Sequence, residues 1–215
     1  MINKKKLTAI DIFSGAGGMS VGASMAGINV MVAIEYDKHA VASFKANHPN
    51  TEVIEKDIRE VNLTGKYKKP FILFGGPPCQ GFSTSNTKTR NSDNQNNSLF
   101  FEYIRQINEL RPEWFVFENV EGITSFEKGT VISRLEKEFE KLGYKTKWKV
   151  LTASDYGVPQ NRNRFFMVGN RLDIDYIFPE KSETIITVHE AIKDLPKLSN
   201  GDSFDDLNYK KVKTN

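Results

Sequence analysis

The stretch GGPPCQGFS, residues 75–83, contains Cys79, the only cysteine among 215 residues. One cysteine excludes an internal disulfide, and a cage of thiolate metal ligands needs more than one. Two interpretations of the residue alone stay open: a small buried apolar side chain, or a nucleophile held on a rigid turn. The prolines stiffen this turn and the glycines allow close approach, and both features suit a nucleophile.

A glycine-rich turn and a later acid predict a nucleoside site. Four glycines follow a strand-like run in DIFSGAGGMSVG: Gly15, Gly17, Gly18 and Gly22. Glu35 ends the next strand-like run, 20 residues beyond Gly15, where a carboxylate can accept from ribose hydroxyls. A dinucleotide fingerprint would have glycine at Ser20, and the turn has no lysine for a triphosphate. The pattern favours S-adenosylmethionine, which has no phosphate, over NAD or ATP.

Asp57, in EKDIRE, ends another short strand-like stretch. Its carboxylate could accept a hydrogen bond from an adenine amino group. The residue type equally allows a helix cap or a solvent-facing acid.

Glu118 and two arginines add acid and cationic groups to the same region. Glu118 follows the apolar run WFVF, so desolvation would favour its protonated form and allow it to donate to a ring nitrogen. A surface acid is the alternative. Arg162 and Arg164 lie two residues apart in an extended segment, so their side chains face the same side. Arginine pairs commonly bind phosphate or carbonyl oxygens.

A thiol, an acid, an arginine pair and a methyl-donor pocket together specify one chemistry. A thiolate adds to carbon 6 of cytosine while an acid hydrogen-bonds ring nitrogen 3, and carbon 5 becomes nucleophilic enough to take a methyl group. Loss of the carbon 5 proton and elimination of the thiol then restore the ring. This chemistry favours Cys79 as a nucleophile.

Strand-like and helix-like segments alternate along the chain. Five apolar runs are typical of buried strands: residues 7–13, 29–35, 71–76, 114–120 and 164–170. Three segments have helical apolar spacing: residues 37–48, 98–110 and 131–143, the last closed by Gly143. The order predicts an α/β fold, a doubly wound, mostly parallel sheet with helices on both faces and its ligands at the carboxyl ends of the strands.

The composition is that of a soluble globular chain, with 39% hydrophobic residues and a net charge of +3. This mild basic excess permits nucleic acid as a partner without arguing for it. No apolar run approaches the roughly 18–20 residues of a membrane span, and the first residues lack a secretory signal. We expect a cytoplasmic protein without a membrane partner. Residues 83–98 contain no apolar side chain and are typical of a mobile loop.

The ordered motifs resemble those of the bacterial cytosine-5 DNA methyltransferases of restriction–modification systems. The matching stretches run from residue 10 to about 170: DIFSGAGGMSVG, IEYD, KDI, GGPPCQGFS, NSLFFEYIR, ENV and YGVPQNRNRFF. The resemblance implies a Rossmann-like domain that binds S-adenosylmethionine, releases S-adenosylhomocysteine and needs no metal. It also implies double-stranded DNA as substrate.

The resemblance assigns roles to individual residues. It implies a cofactor pocket made of Phe13, Gly15, Gly17, Gly18, Glu35, Tyr36, Asp57, Ile58, Pro77 and Leu99. Glu35 would hold the ribose and Tyr36 would pack on the adenine.

For catalysis, the resemblance implies that Cys79 is the nucleophile, Glu118 binds ring nitrogen 3 and Arg164 donates to the cytosine oxygen. Arg162 would support the site or bind a phosphate. Gln80 and Ser83 would touch DNA near the extruded base, over which residues 83–98 would close.

Family members continue with a target-recognition domain and a final helix that packs back on the first domain, whereas this chain stops at KKVKTN before either. We expect residues 1–172 to form the cofactor-binding and catalytic domain and residues 173–215 to lead toward recognition elements on a missing segment or a second chain. Without the final helix, apolar surface would be left open to association.

Three other functions stay open. The first is a cytosine-5 methyltransferase that acts on tRNA, and the second is a non-catalytic scaffold that needs a partner chain. A nicotinamide oxidoreductase is the third, and the glycine pattern disfavours it.

Overall fold

The computed structural model describes residues 7–67, 69–78, 98–197 and 199–200. Cys79, Gln80 and Ser83 lie outside these ranges, as does nearly all of 83–98. The roles assigned to them therefore remain predictions. None of the helices in the described ranges is both long and apolar enough to cross a membrane.

In the described part of the chain, seven strands form one mixed sheet in the order β3-β2-β1-β4-β5-β7-β6. The strands are β1 (Thr8–Ile12), β2 (Asn29–Glu35), β3 (Glu52–Glu55), β4 (Ile72–Gly75), β5 (Trp114–Val120), β6 (Lys145–Thr152) and β7 (Asn163–Asn170). The first five strands in this order pair in parallel, and β7 runs antiparallel to both β5 and β6. The carboxyl ends of β1, β2, β4 and β5 therefore meet at one edge, where ligands of such sheets bind.

Among the residues described, five α-helices connect or follow the strands: α1 (Gly18–Met25), α2 (Lys38–Asn47), α3 (Ser98–Leu110), α4 (Thr130–Lys141) and α5 (Val188–Ile192). The two helices with a strong apolar stripe, α3 and α4, cover one face of the sheet through buried residues such as Tyr103 and Phe139. On the opposite face, α1 packs over Ala9, Val30 and Phe74. The doubly wound, mostly parallel sheet predicted from the sequence is confirmed.

The predicted elements agree with the structure except in two regions. The strand β6 was not anticipated, because three lysines alternate along it and no continuous apolar run marks it. In the region expected to be a tail, the short helix α5 begins at Val188 with a capping box between Thr187 and Glu190. The helix α4 ends at Lys141, and Gly143 follows two residues later with φ +85°.

The chain divides into two compact units. Residues 1–152 and 163–180 form the first unit, which contains the whole sheet, and residues 153–162 and 181–215 form the second. In the second unit, Lys181 pairs with Asp155 at 2.7 Å. The domain boundary at residue 172 remains a prediction.

Candidate active site

The turn between β1 and α1 has an unusual backbone. Phe13 adopts a left-handed conformation with φ +61°, which non-glycine residues rarely do, and Gly15 follows with φ +54°. The amide of Ser14 donates to the carbonyl of Ile34 at 3.1 Å, which holds the turn against the end of β2. Strained backbone of this kind concentrates at ligand sites.

Glu35 connects the two loops at the carboxyl ends of β1 and β2. One carboxylate oxygen accepts from the amide of Gly15 at 2.8 Å, and the other accepts from the amides of Tyr36 and Asp37 at 2.9 Å each. The residue is buried, with 9% of its surface exposed. Since each carboxylate oxygen has two acceptor positions, the oxygen that binds Gly15 keeps one position for a further donor.

A cavity of about 300 Å³ opens beside these loops. Six of the predicted cofactor residues line it: Phe13, Glu35, Tyr36, Asp57, Ile58 and Leu99. The remaining walls come from residues that the sequence did not single out: Ile34, Lys56, Arg59, Gly76 and Pro78. Pro77 lies between the wall residues Gly76 and Pro78 in the chain. The predicted glycines of the first turn come shortly after the wall residue Phe13.

Gly17 and Gly18 begin α1. Gly17 is its N-cap and has φ +94°, and its carbonyl lies 3.2 Å from Nε2 of His48. A methyl group on Gly17 would approach His48 to 2.5 Å, so glycine is needed here for packing. The structure thus gives Gly17 a packing role, and its predicted contact with a cofactor remains a prediction.

Asp57 caps a short 3-10 turn, Ile58–Glu60, and also faces the cavity. Its Oδ1 accepts from the amide and from Nε of Arg59 at 2.9 Å each, and its Oδ2 accepts from Nη2 of Arg59 at 2.6 Å. These side-chain hydrogen bonds are the main cause that lowers the pKa of Asp57 below its ordinary value. The cap that the sequence offered as an alternative is present, together with a place on the cavity wall.

Glu118 and Arg164, predicted to act together, form an ion pair. They lie on the adjacent strands β5 and β7, and Nε of Arg164 is 2.8 Å from Oε1 of Glu118. Both side chains are about one quarter exposed, at 22% and 25%. A methyl group on Gly76 would lie 2.4 Å from Oε2 of Glu118. Because Gly76 also lines the cavity, the acid–arginine pair and the cavity adjoin at this glycine.

Asn119 is a site residue that sequence reasoning missed. It is 2% exposed, and its Nδ2 donates to the carbonyl of Pro77 at 3.1 Å. Its Oδ1 accepts from the amide of Val120 at 2.9 Å. The contact anchors the turn two residues before Cys79. An amide side chain next to Glu118, on a strand whose other residues are all apolar, was the signal that could have identified it.

A second missed residue, Asp11, lies buried in β1 beneath the glycine turn. Its Oδ2 accepts from the hydroxyl of Ser20 in α1 at 2.5 Å. Burial raises its pKa to about 7, the hydrogen bond from Ser20 lowers it, and the nearby charge of Glu35 raises it. The pair joins the first strand to the first helix by a hydrogen bond that spans nine residues.

The predicted site role of Arg162 remains a prediction. Arg162 belongs to the second unit, where its carbonyl accepts from the amide of Ala153 at 2.9 Å. Among the residues that the structure describes, no group of three or more histidine, cysteine, aspartate or glutamate side chains could hold a metal ion.

Comparison with known proteins agrees with this geometry. The chain is 39% identical over 210 residues to Type II methyltransferase M1.HphI of Haemophilus parahaemolyticus, across 94% of this chain and 56% of that protein. It is 38% identical to Type II methyltransferase M.AquIA of Picosynechococcus, across 82% of this chain and 76% of that protein. A solved E. coli prophage structure, described as a DNA modification methyltransferase, superposes with a TM-score of 0.78 at 32% identity, across 90% of this chain and 56% of that one.

The fold is therefore that of the S-adenosylmethionine-dependent methyltransferases. The family model for C-5 cytosine-specific DNA methylases matches residues 7–215, and the chain belongs to this family. It spans about half the length of M1.HphI.

Proposed function

We propose that this chain carries the catalytic half of a DNA cytosine-5 methyltransferase, which moves the methyl group of S-adenosylmethionine to carbon 5 of a flipped-out cytosine. The observation that carries this proposal is the position of Gly76. This residue lines the cavity on one side and abuts Glu118 on the other. A methyl donor and an acid that binds a base must lie next to each other for this reaction, and here only one residue separates their sites.

The cavity has the chemistry that an adenosine group needs. Phe13, Ile34 and Leu99 offer apolar walls for a flat base, while Glu35 and Asp57 offer carboxylate acceptors for hydroxyl and amino donors. The hydroxyl of Ser14, next to Phe13 in the strained turn, is buried and has no hydrogen-bond partner among the described residues. These residues fit S-adenosylmethionine, which supplies an electrophilic methyl group when it is bound.

The ion pair prepares the two groups that would act on the base. Arg164 would keep Glu118 in place before the base enters, because the two opposite charges lie 2.8 Å apart and attract each other. In the complex, Arg164 would donate to the cytosine oxygen, and Glu118, then protonated, would hydrogen-bond ring nitrogen 3. Cys79 would add to carbon 6 and be eliminated after the carbon 5 proton is lost. Asn119 would support this nucleophile through the carbonyl of Pro77.

We infer that the DNA sequence is read elsewhere than in the described sheet. The match covers only 56% of M1.HphI, and a target-recognition region on a further segment or a second chain would complete the enzyme. Double-stranded DNA is the expected substrate, since the family model that the chain matches describes DNA methylases.

The proposal is tested by trapping. Duplex DNA that contains 5-fluorocytosine blocks the final elimination, so a true nucleophile stays bonded to the base. The chain is mixed with this duplex and S-adenosylmethionine, alone and with the recognition region of M1.HphI added as a separate polypeptide, and the adduct is mapped by mass spectrometry. We expect an adduct at Cys79 and none in Cys79→Ser.

Two outcomes would contradict the proposal. An adduct formed with fluorocytosine-substituted tRNA and absent from DNA would indicate the tRNA-modifying alternative. Cofactor binding without an adduct on either nucleic acid, with the recognition region present, would indicate a scaffold.

A further inference from the structure

We propose that Arg59 is a positioning residue for the cofactor base: it orients Asp57 so that the carboxylate accepts one hydrogen bond from the exocyclic amino group of the adenine. The inference rests on the proposed function, because it assumes that the cavity takes S-adenosylmethionine or its product. It goes further by identifying what makes the cavity select adenine.

The hydrogen bonds of Asp57 leave one acceptor position open. A carboxylate has about four such positions, two on each oxygen. Oδ1 already accepts two hydrogen bonds from Arg59, and Oδ2 accepts one, from Nη2 of the same residue. The position that remains on Oδ2 matches a single amino donor. A base with a carbonyl oxygen at that place would meet a negative charge instead of a donor.

Arg59 and Asp57 lie at a 3-10 turn that α3 holds in place through hydrogen bonds. Arg105 in α3 donates from Nη2 to the carbonyls of Ile58 and Val61, at 3.0 and 3.3 Å, and so fixes the 3-10 turn that Asp57 caps. Arg105 is itself held by two carboxylates of α3, Glu102 and Glu109. The planar guanidinium of Arg59 then fixes the carboxylate through a two-point contact, which a lysine cannot reproduce.

The alternative is that Arg59 and Asp57 form an ordinary exposed ion pair with no role in ligand selection. The side chain of Arg59 is 52% exposed and that of Asp57 is 29% exposed, and surface pairs of this kind contribute little to stability. Without a functional role, replacing Arg59 would leave ligand selection unchanged. Arg59 also lowers the pKa of Asp57, which keeps the carboxylate an acceptor when a ligand arrives.

The test compares two ligands by isothermal titration calorimetry: S-adenosylhomocysteine and S-inosylhomocysteine, in which a carbonyl replaces the amino group. We expect the wild type to prefer the adenosyl ligand. In Arg59→Gln this preference should fall about tenfold, the effect of one charge-assisted hydrogen bond. Lys66→Gln is the matched control, because it removes the cation of another exposed ion pair, formed with Glu52 outside the cavity lining, and should leave the preference within about twofold.

Each result has a defined meaning. Arg59→Lys keeps the charge without the two-point contact, so a reduced preference supports positioning by the guanidinium, and a wild-type preference contradicts it. An unchanged preference in Arg59→Gln, with adenosyl binding intact in the wild type, would overturn the inference alone. A folded wild type that binds neither ligand would overturn the proposed function and the inference with it.

Discussion

Gly75 and Gly76 are adjacent, yet a methyl group at each would meet different neighbours. On Gly75 it would lie 1.9 Å from the backbone carbonyl of Ile12, which cannot move without disturbing the pairing of β1 and β4. On Gly76 it would meet the flexible end of Glu118. We therefore predict that Gly75→Ala costs at least about 1–3 kcal/mol of stability, as overpacking does. Gly76→Ala should fold normally and methylate DNA at least about tenfold more slowly, because Glu118 is displaced.

Urea denaturation and transfer of labelled methyl groups to duplex DNA, with the recognition region supplied, measure the two effects. Equal loss of stability in both variants would show that Gly76 is needed for packing and not for the placement of Glu118.

Asn119 offers a second test at the scale of one residue, with Asn170 as its control. Both asparagines are 2% exposed, and each donates from Nδ2 to a backbone carbonyl: that of Pro77 for Asn119 and that of Ile174 for Asn170. Replacing either by aspartate removes a donor and should cost about 1–3 kcal/mol. Only Asn119→Asp should also slow methylation, since only Asn119 holds the turn before Cys79. Similar activity in the two variants at matched stability would contradict the anchoring role.

At the scale of elements, the contact between Asp11 of β1 and Ser20 of α1 predicts that the free energy of unfolding depends on pH. Burial raises the pKa of Asp11 to about 7 from an ordinary value of 3.8. Between these pH values the folded chain holds a proton at Asp11 that the unfolded chain has lost. The free energy of unfolding therefore falls as pH rises, by up to about 1.4 kcal/mol per pH unit, and this contribution becomes constant above about pH 7.

In Asp11→Asn the side chain can still accept the hydrogen bond from Ser20, but it cannot titrate. Comparison with this variant therefore isolates the contribution of Asp11 protonation to the free energy of unfolding. We predict that the stability of the wild type relative to Asp11→Asn decreases from pH 4 to pH 7 in urea unfolding measured at several pH values. Parallel stability curves for the two proteins would show that the carboxyl group does not change its protonation on folding.

The elements were largely predictable and the contacts between them were not. Apolar runs identified the buried strands, but β6 is an edge strand with exposed lysines and has no such run. The motifs assigned Glu118 and Arg164 to one catalytic site, and the structure shows that the two side chains form an ion pair. The hydrogen bonds from Arg59 to Asp57 depend on the directions of the two side chains, and the spacing of residues along the chain does not encode these directions.

At the scale of the whole molecule, one face of the sheet leaves apolar surface open. On the outer side of α1, Val21 and Met25 are 46% and 81% exposed. On the sheet beside α1, Ile72 and Val116 are only partly buried. Sheets of this class bury both faces, and contiguous apolar patches promote association. The sequence had led us to expect such a surface where the last helix of the family would pack.

We predict that this chain, studied by itself, self-associates through the outer face of α1. In sedimentation velocity, the weight-average sedimentation coefficient should rise with protein concentration for the wild type. It should stay constant for the double variant Val21→Lys, Met25→Lys, because two charges make the face costly to bury. Phe101→Lys is the control: Phe101 is 69% exposed on α3, which covers the opposite face, and its replacement should leave association unchanged. A wild type that stays monomeric at every concentration, or association that Phe101→Lys abolishes, would show that the outer face of α1 is not the associating surface.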